Sequence, residues 1–224
     1  MTSFKRARSE EQRAQRRQAI LDTAAAMLAE TPVAQVSLNE LSRRVCLAKS
    51  NVLRYFESRE AVLLELLDAA TNAWLVELRG ALRESVASIE GVESRTDQVA
   101  ATIAATLAAR PVLCDLVSAQ AAVLEHNVSP TVAAQYKRAA IASAERLRDL
   151  VLDHIPELGA DDAFRFTAGA IMVTGAVWAH ARPSAAMLTV YESNPELAAL
   201  RIDFADTLRQ VLEVLLSGLL ARQH

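Results

Sequence analysis

A chain of 224 residues can bury a sizeable core, and 52% hydrophobic residues with 43 Ala against six Gly and six Pro favour an all-α protein. The formal net charge of −3 conceals a division, because residues 1–60 hold 11 Lys and Arg against 7 Asp and Glu whereas residues 61–224 hold 13 against 20, so the head of the chain is basic. Two cysteines, Cys46 and Cys114, exclude a disulfide framework and a spaced zinc set and fit a reducing cytoplasm, and the basic N-terminus lacks the apolar core of a signal peptide.

The chain opens on FKRARSEEQRAQRRQ, where Lys5, Arg6, Arg8, Arg13, Arg16 and Arg17 have little but Phe4 to pack with before Ile20. This segment is expected to begin disordered. It acts either as an arm that follows phosphates or enters a minor groove, or as a solvated charged tail. Residues 13–29 then form a helix with Ile20, Ala24, Met27 and Leu28 on one face. A second helix starts at Ser37, whose hydroxyl can accept from the Glu40 amide while the Glu40 carboxylate reaches back to the Ser37 amide, a capping box. Leu38, Leu41 and Val45 share its buried side, and Asn39, Arg43 and Arg44 stay wet. A third helix, Ser50–Phe56, turns Val52 and Phe56 inward and leaves Lys49, Ser50, Asn51, Leu53, Arg54 and Tyr55 outside. Two short helices joined by a tight turn make a helix-turn-helix, and this outer surface suits a DNA major groove. A buried helical hairpin that never meets DNA is the plainer reading, but it gives no reason for Lys49, Asn51, Arg54, Tyr55 and Arg59 to cluster on one side.

Ser58 caps a connecting helix that carries Val62, Leu63, Leu66 and Leu67 and runs to about Glu84, roughly 40 Å long. Gly91, inside the polar run 90–97, breaks the chain. Helices are expected over 97–110, 111–128 and about 129–155, punctuated by Pro111, Ser129 with Pro130, and Pro156 with Gly159. Another covers 161–181 and ends before Pro183. Its stretch Phe166–Ala181 is uncharged for 16 residues, too short to span a membrane, and reads as a helix buried on all sides. A loop with one short turn is expected over 184–194. The last helix starts at Pro195 or Leu200 and reaches Ala221.

The basic first helix, SLNELSRRV, KSNVLRYF and ESREAVLLELL follow one another within the first 70 residues, with a helical remainder. In this order they resemble the TetR family of one-component transcriptional regulators. Leu41, Lys49, Tyr55, Phe56, Ser58 and Glu60 carry the match over residues 13–70; beyond residue 70 it is architectural. The resemblance implies a DNA-binding head in 1–58 and a helical ligand-binding and dimerisation domain in 59–224. It implies a homodimer on a palindromic double-stranded DNA operator, released by a small effector, with repression the family's commoner outcome. By the same resemblance Lys49, Ser50, Leu53 and Arg54 face base edges while Asn51, Tyr55 and Arg59 hold phosphates, with Ser37 and Asn39 as further DNA contacts. The chemistry agrees: Arg54 can pair with a guanine edge, Leu53 can touch a thymine methyl, and Tyr55 can donate to phosphate. Two departures stand out. Cys46 occupies a turn position where the family usually has Gly, at a cost of roughly 1–2 kcal/mol in a left-handed conformation. Leu53 or Arg54 stands where a second aromatic is common, so the operator of a relative cannot be borrowed.

In the remainder, the wide apolar stripe of the last helix, beside the Ala- and Gly-rich helix before it, can form half of a four-helix dimer bundle. Phe166, Ile171, Gly175, Leu208, Leu212, Leu215 and Leu219 are the expected interface residues, unless both stripes are satisfied inside one subunit. A lipophilic sensor cavity is expected among Trp74, Leu78, Ile103, Leu107, Cys114, Gln120, Tyr136, Met172 and Trp178, residues that at helical spacing fit a plain core equally. Asp115, His126 and Asn127 are candidate polar contacts, and His180 a candidate interface residue. A ligand there would push the connecting helix, residues 59–84, and change the separation of the two heads. No nucleophile elbow, glycine-rich phosphate loop, HExxH or spaced Cys and His set is present. The four His, at 126, 154, 180 and 224, are scattered, and Asp161 and Asp162 suit a helix N-terminus. No enzymatic activity, catalytic residue, cofactor, metal or membrane partner is therefore expected. The competing reading is a helical small-molecule binding protein whose head docks a protein rather than DNA.

Overall fold

Helix formers without an interrupting Gly or Pro carry α1 over Thr2–Glu30. The computed structural model describes residues 2–222, and side chains from Glu10 onward. The side chains of Phe4, Lys5, Arg6 and Arg8, and His224 as a whole, lie outside the described residues. The segment expected to begin disordered is therefore helical from Thr2. A short turn at Val33–Gln35 leads to α2, Leu38–Arg44, and α3, Lys49–Val52. The connecting helix α4 spans Arg59–Val86. Then come α5 (Val92–Ala108), α6 (Pro111–Ala119) with a wider π turn over Gln120–Leu124, and α7 (Pro130–His154). The chain ends in α8 (Gly159–Ala181), α9 (Ala185–Ser193), α10 (Pro195–Ala198) and α11 (Phe204–Ala221). No strand occurs among the described residues. No single described helix is long and apolar enough to cross a membrane.

The chain divides into two units, Met1–Ala69 with Ala119–Lys137, and Ala70–Ser118 with Arg138–His224. In the first, Ile20, Ala24 and Met27 of α1, Leu41 of α2, and Val52 and Phe56 around α3 are all buried. Arg17 pins this core from its edge. Its Nε donates to Glu65 Oε1 at 2.9 Å, its Nη1 donates to the Tyr55 carbonyl at 2.7 Å, and its guanidinium lies 4.1 Å from the centre of the Phe56 ring. Arg17, counted in sequence among the arm's charges, is thus a fastener of the head, whereas Arg13 and Arg16 are exposed.

In the second unit, α11 packs on α5 and α8 and buries Leu208, Leu212 and Leu216 completely. Trp178 meets Phe204 edge to face at 5.0 Å and donates from Nε1 to Asp115 at 3.3 Å. Trp74 donates to Thr106 at 3.0 Å, and Arg110 reaches Glu77 at 2.9 Å, so α4 is fastened to α5 and the residues just beyond it. Helix α9 lies where a loop was expected. Ser184 caps it, but it buries no residue, so no apolar period marks it in sequence.

Candidate nucleic-acid interface

Ser37 Oγ accepts the Glu40 N–H at 3.2 Å and starts α2 as expected. The other half of the capping box is replaced. The Glu40 carboxylate lies against Arg43 Nε at 2.8 Å and Arg44 Nε at 2.9 Å, because two guanidinium groups one turn away outcompete a single amide. Hydrogen bonds from Arg43, then Arg44, hold the Glu40 carboxyl down to about 2. Arg44 also reaches Glu30 at 2.8 Å, which ties the end of α1 to α2.

Helix α2 ends in a Schellman turn. The Leu47 N–H donates to the Ser42 carbonyl at 3.0 Å and the Cys46 N–H to the Arg43 carbonyl at 3.2 Å. This closure needs a left-handed residue, and Cys46 supplies it at φ 53°, the one positive-φ residue other than glycine among those described. The chain then leaves through extended Ala48 into α3. The expected helix to Phe56 tightens early. Leu53 N–H still reaches Lys49 one full turn back, but Arg54 and Tyr55 donate to Asn51 and Val52, three residues back, at 3.2 and 2.9 Å.

That tightening keeps Val52 and Phe56 buried while Lys49, Ser50, Asn51, Leu53 and Arg54 stay exposed on one surface, with Leu53 at 41%. Ser37 and Asn39 are exposed at the start of α2. Tyr55 is half-buried, and its carbonyl is held by Arg17. Arg59 is partly engaged within the head. Its Nη2 donates to the Val33 carbonyl at 3.2 Å, its Nε stands 3.7 Å from Glu60, and its side chain is 21% exposed. The structure uses it to hold the turn before α2 to the start of α4. A further contact has no sequence signal: Glu57, just past α3, accepts the Ser129 N–H at 2.6 Å at the start of α7.

The residues expected to form a sensor fall into two groups by unit. Gln120 and Tyr136 belong to the first; Gln120 donates to Glu125 at 3.0 Å. Burial pushes the Tyr136 phenol up, and the charges of Glu125 and Asp68 add to it. In the second unit Trp74, Leu78, Ile103, Leu107, Cys114 and Trp178 are buried. Burial, with a smaller contribution from Asp115, pushes the Cys114 thiol up to about 12, and its Sγ donates to the Leu107 carbonyl at 3.3 Å. It is an inert packing group. Met172 departs from expectation: it is 69% exposed and lines no interior.

The expected interface residues also divide. Phe166, Leu208 and Leu212 are fully buried in their own chain, because α5 and α8 already close over the inner stripe of α11. Gly175 faces α6, where an added Cβ would stand 3.3 Å from Ser118 Cα, so its closely approaching partner is the same chain. Ile171 remains exposed, and Leu215 and Leu219 are half-exposed. Helix α8 is not buried all round. Phe164, Ile171 and Met172 form an outer stripe on it, and Val214 is 71% exposed on α11. Phe164 and Val214 carry no expectation in the sequence and Met172 is expected in the sensor instead, although 164, 168, 171 and 172 have helical spacing. Among the described residues no group of three or more His, Cys, Asp and Glu side chains could hold a metal ion.

Comparison with known proteins gives the family. The model of bacterial regulatory proteins of the tetR family matches residues 20–66, and that of tetracyclin repressor-like C-terminal domains matches 68–223. No curated protein matches. Among solved structures the chain is similar to a possible TetR family transcriptional regulator from Streptomyces coelicolor A3(2), with TM-score 0.60, 19% identity, and 92% and 99% of the two chains covered. It is similar to a TetR transcriptional regulator from Rhodococcus sp. RHA1, with TM-score 0.57, 12% identity, and 94% and 97% covered. It is also similar to the transcriptional regulator FadR of Bacillus subtilis in complex with stearoyl-CoA, with TM-score 0.53, 15% identity, and 90% and 98% covered. At such identities these structures speak to fold, while the two family models together account for nearly the whole chain. With an exposed α3 set on a buried three-helix head, the chain belongs to the TetR family of transcriptional regulators, DNA-binding proteins and not enzymes.

Proposed function

We propose that this regulator is a cytoplasmic repressor that holds a palindromic operator as a homodimer and leaves it when a small lipophilic molecule enters its helical body. The observation that carries the reading is the exposed surface of Lys49, Ser50, Asn51, Leu53 and Arg54 around buried Val52 and Phe56. In it Lys49, Ser50, Leu53 and Arg54 read base edges, and Asn51 and Tyr55, with Ser37 and Asn39, hold phosphates. Arg59 supports the turn behind them. The head that binds DNA is residues 1–58, and residues 59–224 sense and dimerise.

The outer stripe of Phe164, Ile171 and Met172 on α8, with Val214, Leu215 and Leu219 on α11, is an unpartnered two-helix face suited to completing a four-helix bundle with a second copy. Two copies of α3 one DNA turn apart match a palindrome. The likeness to a FadR that holds stearoyl-CoA makes long-chain acyl thioesters the first effectors to try, with Trp74, Leu78, Ile103 and Leu107 as the apolar surface that receives the chain. A preference of about 1–3 kcal/mol for the released state gives a 5- to 150-fold loss of operator affinity. Selection of duplexes from a random pool by the purified chain tests the reading. Enrichment of an inverted repeat with half-sites about 10 bp apart supports it, and a pool that stays random refutes it.

A further inference from the structure

The joint between α3 and α4 is fastened by a residue far along the chain. Phe56 ends the recognition turn, buried and with its N–H on the Val52 carbonyl at 3.1 Å, and Ser58 Oγ accepts the Ala61 N–H at 3.1 Å as α4 begins. Glu57 stands between them, outside both helices. Its Oε1 accepts the Ser129 N–H at 2.6 Å at the start of α7, where a helix N-terminus favours a carboxylate.

The donor sits on a built support. Residues 119–137 fall within the same compact unit as the head, and Leu124 and Tyr136 are buried there. Gln120 donates to Glu125 at 3.0 Å, Lys137 donates to the same carboxylate at 2.8 Å, and the Ser129 hydroxyl accepts the Val132 N–H at 3.3 Å. The amide offered to Glu57 is thereby held in place. Arg17 holds the recognition turn separately, through the Tyr55 carbonyl. Leu53 and Arg54 immediately precede these two ties, so their depth in a groove follows where the joint is held. Glu57 is ill suited to touch DNA itself. An exposed carboxylate beside a phosphate-binding surface opposes binding, and its removal, if it did nothing else, would strengthen every duplex complex.

We propose that Glu57 is a positioning residue for operator recognition, and that residues 119–137 act as a strap that sets the recognition turn through the Ser129 amide. The strap rests on the DNA-binding reading of α3 and adds to it a segment outside the helix-turn-helix. The test titrates the full chain with its selected duplex and with a scrambled duplex of equal length, for wild type, Glu57→Gln and Glu57→Ala. Gln keeps an oxygen acceptor, and Ala removes it. Glu57→Ala is expected to lose about five-fold or more in affinity for the selected duplex, with scrambled-duplex affinity unchanged or higher and helical content intact. Glu57→Gln is expected to restore binding of the selected duplex. Ser129→Pro, which lacks the amide donor, is expected to match Glu57→Ala and to add nothing to it in the double variant. Losses that add in the double variant overturn the strap. Affinity for both duplexes that rises in both Glu57 variants makes Glu57 a repelling charge alone and overturns the positioning role. Selected-duplex binding that stays at the wild-type level in Glu57→Ala overturns it too, as does an equal loss on both duplexes, the mark of a loosened fold. A wild-type chain that does not distinguish the two duplexes overturns the operator reading itself.

Discussion

Cys46 stores strain in the turn that sets α3 against α2. At φ 53° its Cβ crowds the following carbonyl, which a glycine avoids. Cys46→Gly is expected to raise stability by about 1 kcal/mol, seen as a melting temperature higher by about 2–4 °C, with duplex affinity unchanged because the thiol makes no assigned contact. Arg54 is the opposite case, an exposed side chain that holds nothing in the fold. Arg54→Ala is expected to weaken binding to the selected duplex by about 1–3 kcal/mol in a titration, with unaltered circular dichroism. Glu40 links the head to pH. Its carboxyl is lowered from 4.5 to about 2 by Arg43 and Arg44, so its stabilisation is full above pH 4.5 and fades as pH falls toward 2. The melting-temperature gap between wild type and Glu40→Gln is accordingly expected to shrink between pH 5.5 and 3.

At the scale of elements, α8 approaches α6 closely at Gly175. Gly175→Val places methyl groups against the backbone of Val117 and Ser118 and is expected to cost about 1–3 kcal/mol in denaturant unfolding. That glycine also shows where the sequence was legible. A stripe of Leu208, Leu212 and Leu216 reveals which side of α11 is buried, and a glycine reveals a close approach; neither says which chain does the burying. Leu208, Leu212 and Gly175 are expected at a partner's surface, and all three are satisfied at home. The head was read more fully because its signals are local: Ser37 as cap, Cys46 at the turn, and the spacing of Val52 and Phe56 each determine geometry within a few residues. Arg17 counts among the arm's charges, and Arg59 is a phosphate contact by resemblance, because neither composition nor resemblance shows Glu65, Tyr55 or Val33 folding back to them. Helix α9 left no trace because apolar periodicity records burial, and α9 has none.

For the whole molecule, residues 1–60 are basic and residues 61–224 acidic, and phosphate neutralisation by the head is the expected source of duplex affinity. The most direct test is the affinity of the purified chain for its selected duplex across a salt series. The account predicts that the logarithm of the association constant falls linearly and steeply with the logarithm of salt concentration as counterions are released. An affinity that stays level from low to moderate salt contradicts the assignment of α2 and α3 to DNA.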